Sequence, residues 1–242
     1  MGSIKKELLS GVFYTAIAKY SGILISLIIT GVLARLISPD KFGIVAVVTV
    51  ITFFFSIFSD LGIGAAIIQN KELQQKDLNQ LFSFTVWSGC ILTLLFFLCS
   101  WPISFFYKEP SMKAITQLLA INLFFASANI VPNALLYKAK AFKFLAWRSL
   151  GVQVSGGIIA ILAALGGAGL YTLIINPILS SILLFIISYQ KYPQTLEMTW
   201  GIPSIRKIFK FSAYQFMFNI INYFSRNLDK LLIGKYMGMS PL

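Results

Sequence analysis

The chain has 242 residues, 57% hydrophobic and 12% charged, with a mean hydropathy of +0.81; soluble domains carry about 25% charged residues, so a water-facing surface cannot be built from this composition. The net charge of +12, from 20 Lys and Arg against 8 Asp and Glu, would suit nucleic acid in a soluble domain. Here the basic residues sit between apolar runs, where they hold loops against a membrane surface, and the absence of histidine excludes imidazole metal ligands, histidine bases and histidine proton relays.

A helix that crosses a bilayer needs about 20 mostly apolar residues, because lipid offers the backbone no hydrogen-bond partner. The N-terminus begins like a signal peptide with Lys5 and Lys6, but Lys19 interrupts the apolar stretch and no small-residue cleavage site follows, which predicts an uncleaved first helix near 11–34. Lys6 stands where a myristoylation motif needs Ser or Thr. Charge-free runs then follow: 18 residues between Lys41 and Asp60, 30 between Asp77 and Lys108, 24 between Lys113 and Lys138, and 42 between Arg148 and Lys191. Gly166-Gly167-Ala168-Gly169 divides the last run into two helices by a tight turn. The pattern predicts an all-α polytopic membrane protein with about seven transmembrane helices, near 11–34, 42–65, 80–106, 114–136, 147–165, 170–190 and 209–233. Cys90 and Cys99, nine residues apart in one apolar run, lie about 13 Å apart along a helix and on opposite faces, too far to bridge.

Loop charges predict the orientation. With the N-terminus inside, one side collects Lys5, Lys6, Lys71, Lys76, Lys138, Lys140, Lys143, Arg148, Lys191, Arg206, Lys207 and Lys210, twelve in all. The other side collects Arg35, Lys41, Lys108, Lys113, Arg226, Lys230 and Lys235, seven in all. The excess predicts a cytoplasmic N-terminus. A faint internal echo, Ile4-Lys5-Lys6 against Ile205-Arg206-Lys207, each followed by a Ser-Pro (Ser38-Pro39; Ser240-Pro241), is of the kind left by repeated transporter halves; it predicts that the sequence stops partway through the second half.

No catalytic constellation accompanies these helices. With eight scattered acids, no histidine and no glycine-rich phosphate loop, the sequence predicts neither an enzyme nor a metal or cofactor site. What it does show is polarity at helical spacing, which lines one face of a helix. In the first helix Thr15, Lys19, Gly22, Ser26 and Thr30 recur; in the second, Thr49, Thr52, Ser56 and Ser59 or Asp60; in the seventh, Ser212, Gln215, Asn219, Asn222, Arg226 and Asp229. Small and hydroxylated residues also serve plain helix packing, whereas several large polar groups on one stripe call for water or a polar partner.

Lys19 is the sharpest single signal, because a charge inside a span costs about 2.5 to 3.5 kcal/mol and normally faces a cavity or an ion partner; snorkelling from the helix end is the alternative. Asp60 caps a break before Leu61-Gly62 or pairs with Lys19. Asn122, Asn129 and Asn133, with Pro132 bending their helix, and Asn176 beside Pro177 add to an aqueous hollow. The predicted substrate cavity therefore holds Lys19, Ser26, Thr30, Thr52, Ser56, Asn122, Asn129, Gln215, Asn219, Asn222 and Arg226. Two cations among amides and hydroxyls suit an anionic substrate rich in hydroxyls; an exporter of cationic drugs would call for embedded carboxylates, for which only Asp60 is a candidate.

The stretch Gly31-Val32-Leu33-Ala34-Arg35-Leu36-Ile37-Ser38-Pro39-Asp40-Lys41-Phe42-Gly43 resembles the end of the first helix and first external loop of the polysaccharide flippases in the multidrug/oligosaccharidyl-lipid/polysaccharide exporter superfamily. Phe58-Ser59-Asp60-Leu61-Gly62 with Ala65-Ala66-Ile67-Ile68-Gln69, and Asn227-Leu228-Asp229-Lys230-Leu231-Leu232-Ile233-Gly234, are similar to that family too. The resemblance implies two bundles of six helices around a central cavity, alternating access, and export of undecaprenyl-diphosphate-linked repeat units across a bacterial inner membrane. A full member has twelve to fourteen helices, so residues 1–205 would be a six-helix N-terminal lobe and 206–242 the first helix of a second lobe. Expected partners are the lipid-linked oligosaccharide, membrane lipids and a polysaccharide polymerase or glycosyltransferases, with no nucleic acid. The alternatives are a drug/cation antiporter of the same superfamily, a membrane-embedded glycosyltransferase or polymerase, and a non-transporting partner of the synthesis enzymes.

Overall fold

A computed structural model describes residues 2–198 and 200–236, and the side chains from residue 11 onward apart from Val12, Leu231 and Gly234. The side chains of Lys5 and Lys6, and Ser240-Pro241, thus lie outside the described residues. The described chain is nine α-helices and one short 3-10 turn: α1 Gly2–Leu36, α2 Pro39–Asp60, α3 Ile63–Gln69, α4 Gln75–Tyr107, α5 Ser111–Ala128, α6 Ile130–Lys138, α7 Phe142–Leu165, the 3-10 turn Gly169–Tyr171, α8 Thr172–Lys191 and α9 Ile202–Tyr236. Six of them are long and apolar enough to cross a membrane: Phe13–Leu36, Pro39–Asp60, Gln75–Tyr107, Ser111–Ala128, Phe142–Leu165 and Gly169–Lys191. The protein is an all-α, multi-pass membrane protein. The seventh expected span lies within α9, which is continuous and longer than predicted, but its polar stripe leaves it less apolar than the other six.

Two predicted spans are each two helices. The span near 42–65 breaks at Leu61 and Gly62, both left-handed at φ 45° and 76°. Asp60 stabilises the break, accepting the N–H of Gly64 at 3.0 Å, so the carboxylate acts as a cap. The span near 114–136 breaks at Asn129, between α5 and α6. Pro132 explains the position: it has no N–H for the carbonyl of Ala128, and its ring crowds that carbonyl, so the helix fails one turn upstream. The Gly166–Gly169 turn forms as predicted, with Gly167 and Gly169 at φ 82° and 56°. Pro39 starts α2 in the first turn, where its missing N–H costs nothing.

Helix α1 packs along α7, α7 along α8, α8 along α5, and α5 along α2 and α4, while α9 lies across α2, α3 and α4. We call the end at which α1 begins the basal end. The central core joins α2, α4, α5 and α8 through Val47, Val48, Phe96, Ile115, Leu119, Leu123 and Ile174. A second core at the basal end joins α3, α4, α6 and α9 through Ile63, Ile67, Leu81, Phe82, Val131 and Ile208. Lipid is as apolar as these side chains, so close van der Waals packing rather than escape from water holds the helices together. Gly157 shows how close: a Cβ there would lie 2.0 Å from Ile29 Cδ1. Leu24, Leu27, Ile28, Phe105 and Leu162 remain exposed, as residues on a lipid-facing surface do. Cys90 and Cys99 are free thiols.

Candidate functional site

Helix α1 has three flanks. It rests on α7 through Gly22, whose carbonyl accepts Gln153 Nε2 at 2.8 Å, and through Ile29, Leu33 and Ile37 packed on Ala160. At about 100° per residue, Thr15, Lys19, Ser26 and Thr30 fall within an arc of about 60° that borders that contact and overlaps it at Leu33, and all four are exposed. Phe13, Ile17, Tyr20, Leu24, Leu27 and Ile28 occupy the opposite side and are also exposed. The exposed surface of α1 is thus split by chemistry into an apolar face and a narrow polar one carrying Lys19. Beyond the Ser38 turn, α1 scarcely touches α2, so no neighbour covers the polar flank.

On α2 two of the hydroxyls bond back to their own helix. Thr52 is buried and donates to Val48 O at 2.7 Å; Ser56 donates to Phe53 O at 2.7 Å. Both satisfy themselves on their own helix, as Ser and Thr do in spans. Thr49 is exposed. It lines a hollow of about 430 Å³ with Phe42 and Phe53 of α2, Leu173 of α8, and Asn227 and Lys230 of α9.

The polar stripe of α9 divides along its length. Gln215 donates to Asn219 Oδ1 at 3.0 Å, and its Cβ lies against the elbow between α2 and α3, where a Cβ on Gly62 would come within 2.8 Å of it. Asn222 and Arg226 are exposed. Between them Tyr223 is buried against Phe53 and Phe54, with ring centroids 6.1 and 5.2 Å away, while Phe216 meets Phe58 at 5.4 Å. The eleven predicted residues therefore fall into three groups: Lys19, Ser26 and Thr30 on α1; Thr52, Ser56, Gln215, Asn219, Asn222 and Arg226 on α2 and α9; and Asn122 and Asn129 on α5 and its break. Asn122 is half-buried. The Oδ1 of Asn129 is buried with no donor among the described residues.

A fourth polar group was not legible as a site. Arg148 was counted with the loop after α6, yet α7 begins at Phe142, so Arg148 sits nearly two turns inside a helix. Its guanidinium donates to Ser188 Oγ of α8 and, at 2.9 Å, to Asn133 Oδ1 of α6. Its Nε is buried without a partner, and no carboxylate pairs with it among the described residues. Asn129 and Asn133 are one turn apart, so a buried acceptor and a half-buried guanidinium occupy one polar column between α6, α7 and α8. More than three turns away, near the start of α8, Asn176 accepts the hydroxyl of Ser180 at 3.0 Å; a Cβ on Gly156 would lie 2.3 Å from Asn176 Oδ1.

The basal end also carries a clasp. Asp77, buried in the first turn of α4, accepts Lys207 Nζ at 2.7 and 2.9 Å, Ser204 Oγ at 2.7 Å and the N–H of Gln74 at 3.1 Å. The linker before α9 is strapped along α4: Asn79 Oδ1 accepts the N–H of Thr195 at 3.2 Å, Ser83 Oγ that of Glu197 at 2.7 Å, and Trp87 Nε1 donates to Glu197 O at 3.1 Å. No group of three or more His, Cys, Asp or Glu side chains able to hold a metal occurs among the described residues.

A profile described as polysaccharide biosynthesis protein matches residues 32–242. The teichuronic acid biosynthesis protein TuaB of Bacillus subtilis is 27% identical over 100% of this chain and 50% of its own length. The lipopolysaccharide biosynthesis protein WzxC of Escherichia coli is 24% identical over 98% of this chain and 48% of its own length. The succinoglycan biosynthesis transport protein ExoT of Rhizobium meliloti is 21% identical over 86% of this chain and 42% of its own length. The chain spans about half the length of the curated relatives it matches. No solved structure matches it. With the profile covering all of the chain beyond the first 31 residues, and with the flippase resemblance carried by residues 31–43, 58–69 and 227–234, the chain belongs to the polysaccharide biosynthesis protein family.

Proposed function

We propose that the chain takes part in exporting lipid-linked oligosaccharide repeat units across the bacterial inner membrane for surface polysaccharide synthesis, as a transporter and not as an enzyme. In this reading residues 1–205 form one lobe and 206–242 open a second, the N-terminus is cytoplasmic, and the lobes rock to expose a shared hollow on alternate sides. The observation that carries the reading is the polar flank of α1. Lys19 stands exposed with Ser26 and Thr30 on a face that no helix covers, separate from the lipid-facing side of the same helix. A cation flanked by hydroxyls attracts a diphosphate and hydrogen-bonds sugar, while the polyprenyl tail stays in lipid. Arg226, Asn222, Asn219 and Gln215 of α9, Thr52 and Ser56 of α2, and Asn122 and Asn129 belong to the same proposed cavity. The family assignment supplies the substrate class, since TuaB, WzxC and ExoT are all named for polysaccharide biosynthesis. A cation antiporter gains nothing from Asp60, whose carboxylate is committed to the N–H of Gly64.

Charge reversal tests it. Lys19→Glu or Arg226→Glu, introduced in the native cell, should abolish surface polysaccharide while the protein still inserts to normal levels. Normal polysaccharide in both variants would reject the cavity.

A further inference from the structure

A cavity of about 720 Å³ opens at the basal end of the bundle, where the start of α1 meets the turn between α6 and α7 and the end of α8. Its lining includes no residue of α9 and none of Thr15, Lys19, Ser26 and Thr30. Tyr14, Lys140, Lys143, Phe144, Trp147 and Lys191 line it, and no acidic side chain is among its described lining residues. Its three lysines come from three places: Lys140 from the turn, where its φ is 54°, Lys143 from the first turn of α7, and Lys191 from the last turn of α8. Lys143 and Lys191 alone bring two positive charges from two helices to one cavity, which an anionic ligand offsets. The ammonium of Lys191 stands over the ring of Phe144 at 6.0 Å, which positions it but leaves its charge in place.

Two further features point to the sign and the character of the ligand. Helix α7 begins in this cavity, and its cap residue Ala141 supplies no side-chain acceptor, so the first-turn N–H groups add to the positive potential. Tyr14 and Trp147 are amphipathic rings of the kind that settle at headgroup depth, and Trp147 is 66% exposed. From the cavity, exposed apolar side chains continue along both α1 and α7: Phe13 and Ile17 on one, Val154 and Ile158 on the other. At the near edge α1 is pressed against the turn, for a Cβ on Gly11 would lie 2.7 Å from the ring of Phe142. The site thus joins a basic, aromatic-rimmed head region to an apolar track, and its ligand has an anionic head and acyl chains.

We propose that this cavity binds the phosphate headgroup of an anionic membrane phospholipid, of the phosphatidylglycerol or cardiolipin type, with its acyl chains along the exposed faces of α1 and α7. Basic pockets between spanning helices take such headgroups, and a zwitterionic lipid gains little there because its own ammonium opposes the lysines. The site is independent of the transport reading.

The test is native mass spectrometry of the full chain, purified in mild detergent and supplied with phosphatidylglycerol or phosphatidylcholine. Phosphatidylglycerol should be retained in preference to phosphatidylcholine. Lys143→Gln or Lys191→Gln alone should weaken its retention about fivefold and the two together about thirtyfold, each lysine near the surface being worth about 1 kcal/mol. The pair Lys143→Arg with Lys191→Arg should keep it, and so should Lys108→Gln with Lys113→Gln at the far end. Equal retention of the two lipids overturns the proposal, as does unchanged phosphatidylglycerol binding in the double glutamine variant. Displacement of the lipid by millimolar inorganic phosphate would make it a plain anion site and also overturn the proposal. The replaced lysines are exposed, and matching thermal unfolding of variant and parent separates lost binding from lost fold.

Discussion

Replacing Arg148 by methionine separates a structural from a functional use of the half-buried guanidinium. The substitution removes the donors to Asn133 Oδ1 and Ser188 Oγ. Ser188 keeps a partner, since its hydroxyl also donates to Leu184 O, but Asn133 is left with an orphaned acceptor, a loss of about 1 to 3 kcal/mol. Against this, methionine fills much of the space of the arginine stem, and a charge with no carboxylate partner leaves the spanning region, a gain of about 2.5 to 3.5 kcal/mol on insertion scales. The two nearly cancel. Arg148→Met should therefore shift stability by no more than about 1 to 2 kcal/mol, a few degrees in Tm for a chain of this length. Adding Asn133→Leu, which removes the orphan, should stabilise the single variant. Thermal unfolding in detergent, followed by circular dichroism, measures both. If the charge is kept for the substrate, surface polysaccharide is lost although the fold is intact. A fall in Tm beyond about 10 °C that Asn133→Leu does not relieve would refute the energy balance and make Arg148 a structural pin.

Three other substitutions probe the packing that holds the polar groups in place. Gly157→Leu forces side-chain atoms into Ile29, whose Cδ1 would already be 2.0 Å from a Cβ; overpacking of this kind costs about 1 to 3 kcal/mol, and disulfide trapping between cysteines placed on α1 and α7 should slow. Gly62→Ala combines a left-handed φ of 76° with a Cβ 2.8 Å from the carbonyl of Ser212, so a loss above about 1 to 2 kcal/mol and weaker docking of α9 should appear as faster proteolysis of α9 than in the parent. For the clasp, Asp77→Ala should destabilise more than Lys207→Ala, because Asp77 is buried and holds the α4 cap as well, whereas the Lys207 side chain is 54% exposed. A double-mutant cycle should give a coupling of about 1 kcal/mol after solvent screening; strict additivity would remove the ion pair from the account.

The six apolar spans were legible in the sequence because lipid imposes one rule on every residue of a span. The interruptions were legible only where chemistry marks them. Gly166–Gly169 announced its turn and Asp60 before Leu61-Gly62 marked a candidate break, while the break at Asn129 hid inside an apolar run, and Pro132 was read as a bend where it stops the helix a turn upstream. The exposed flank with Lys19 followed from spacing alone. Arg148 escaped because its position among the basic residues of 138–148 looked like loop, and only the start of α7 at Phe142 reveals its depth. The strap along α4 escaped for a different reason: Asn79, Ser83 and Trp87 find partners 110 or more residues away, and no local pattern carries such a pairing.

The distribution of tight contacts decides where the bundle opens most cheaply. Helix α1 is joined to α7 by a backbone-close crossing at Gly157 and a hydrogen bond to Gly22. Helix α9 is joined to α2 by interlocked rings and to α4 by the Asp77 clasp. Separating either pair breaks packing that lipid does not replace, because neither a hydrogen-bonded carboxylate clasp nor a glycine-level fit has an equivalent in hydrocarbon. Between α1 and α2 there is no such investment: beyond the Ser38 turn the helices scarcely touch, and Lys19, Ser26 and Thr30 of α1 stay exposed. Lys19, Ser26 and Thr30 are therefore open to a polar molecule without loss of protein contacts, while α9 stays tied to α2 and α4.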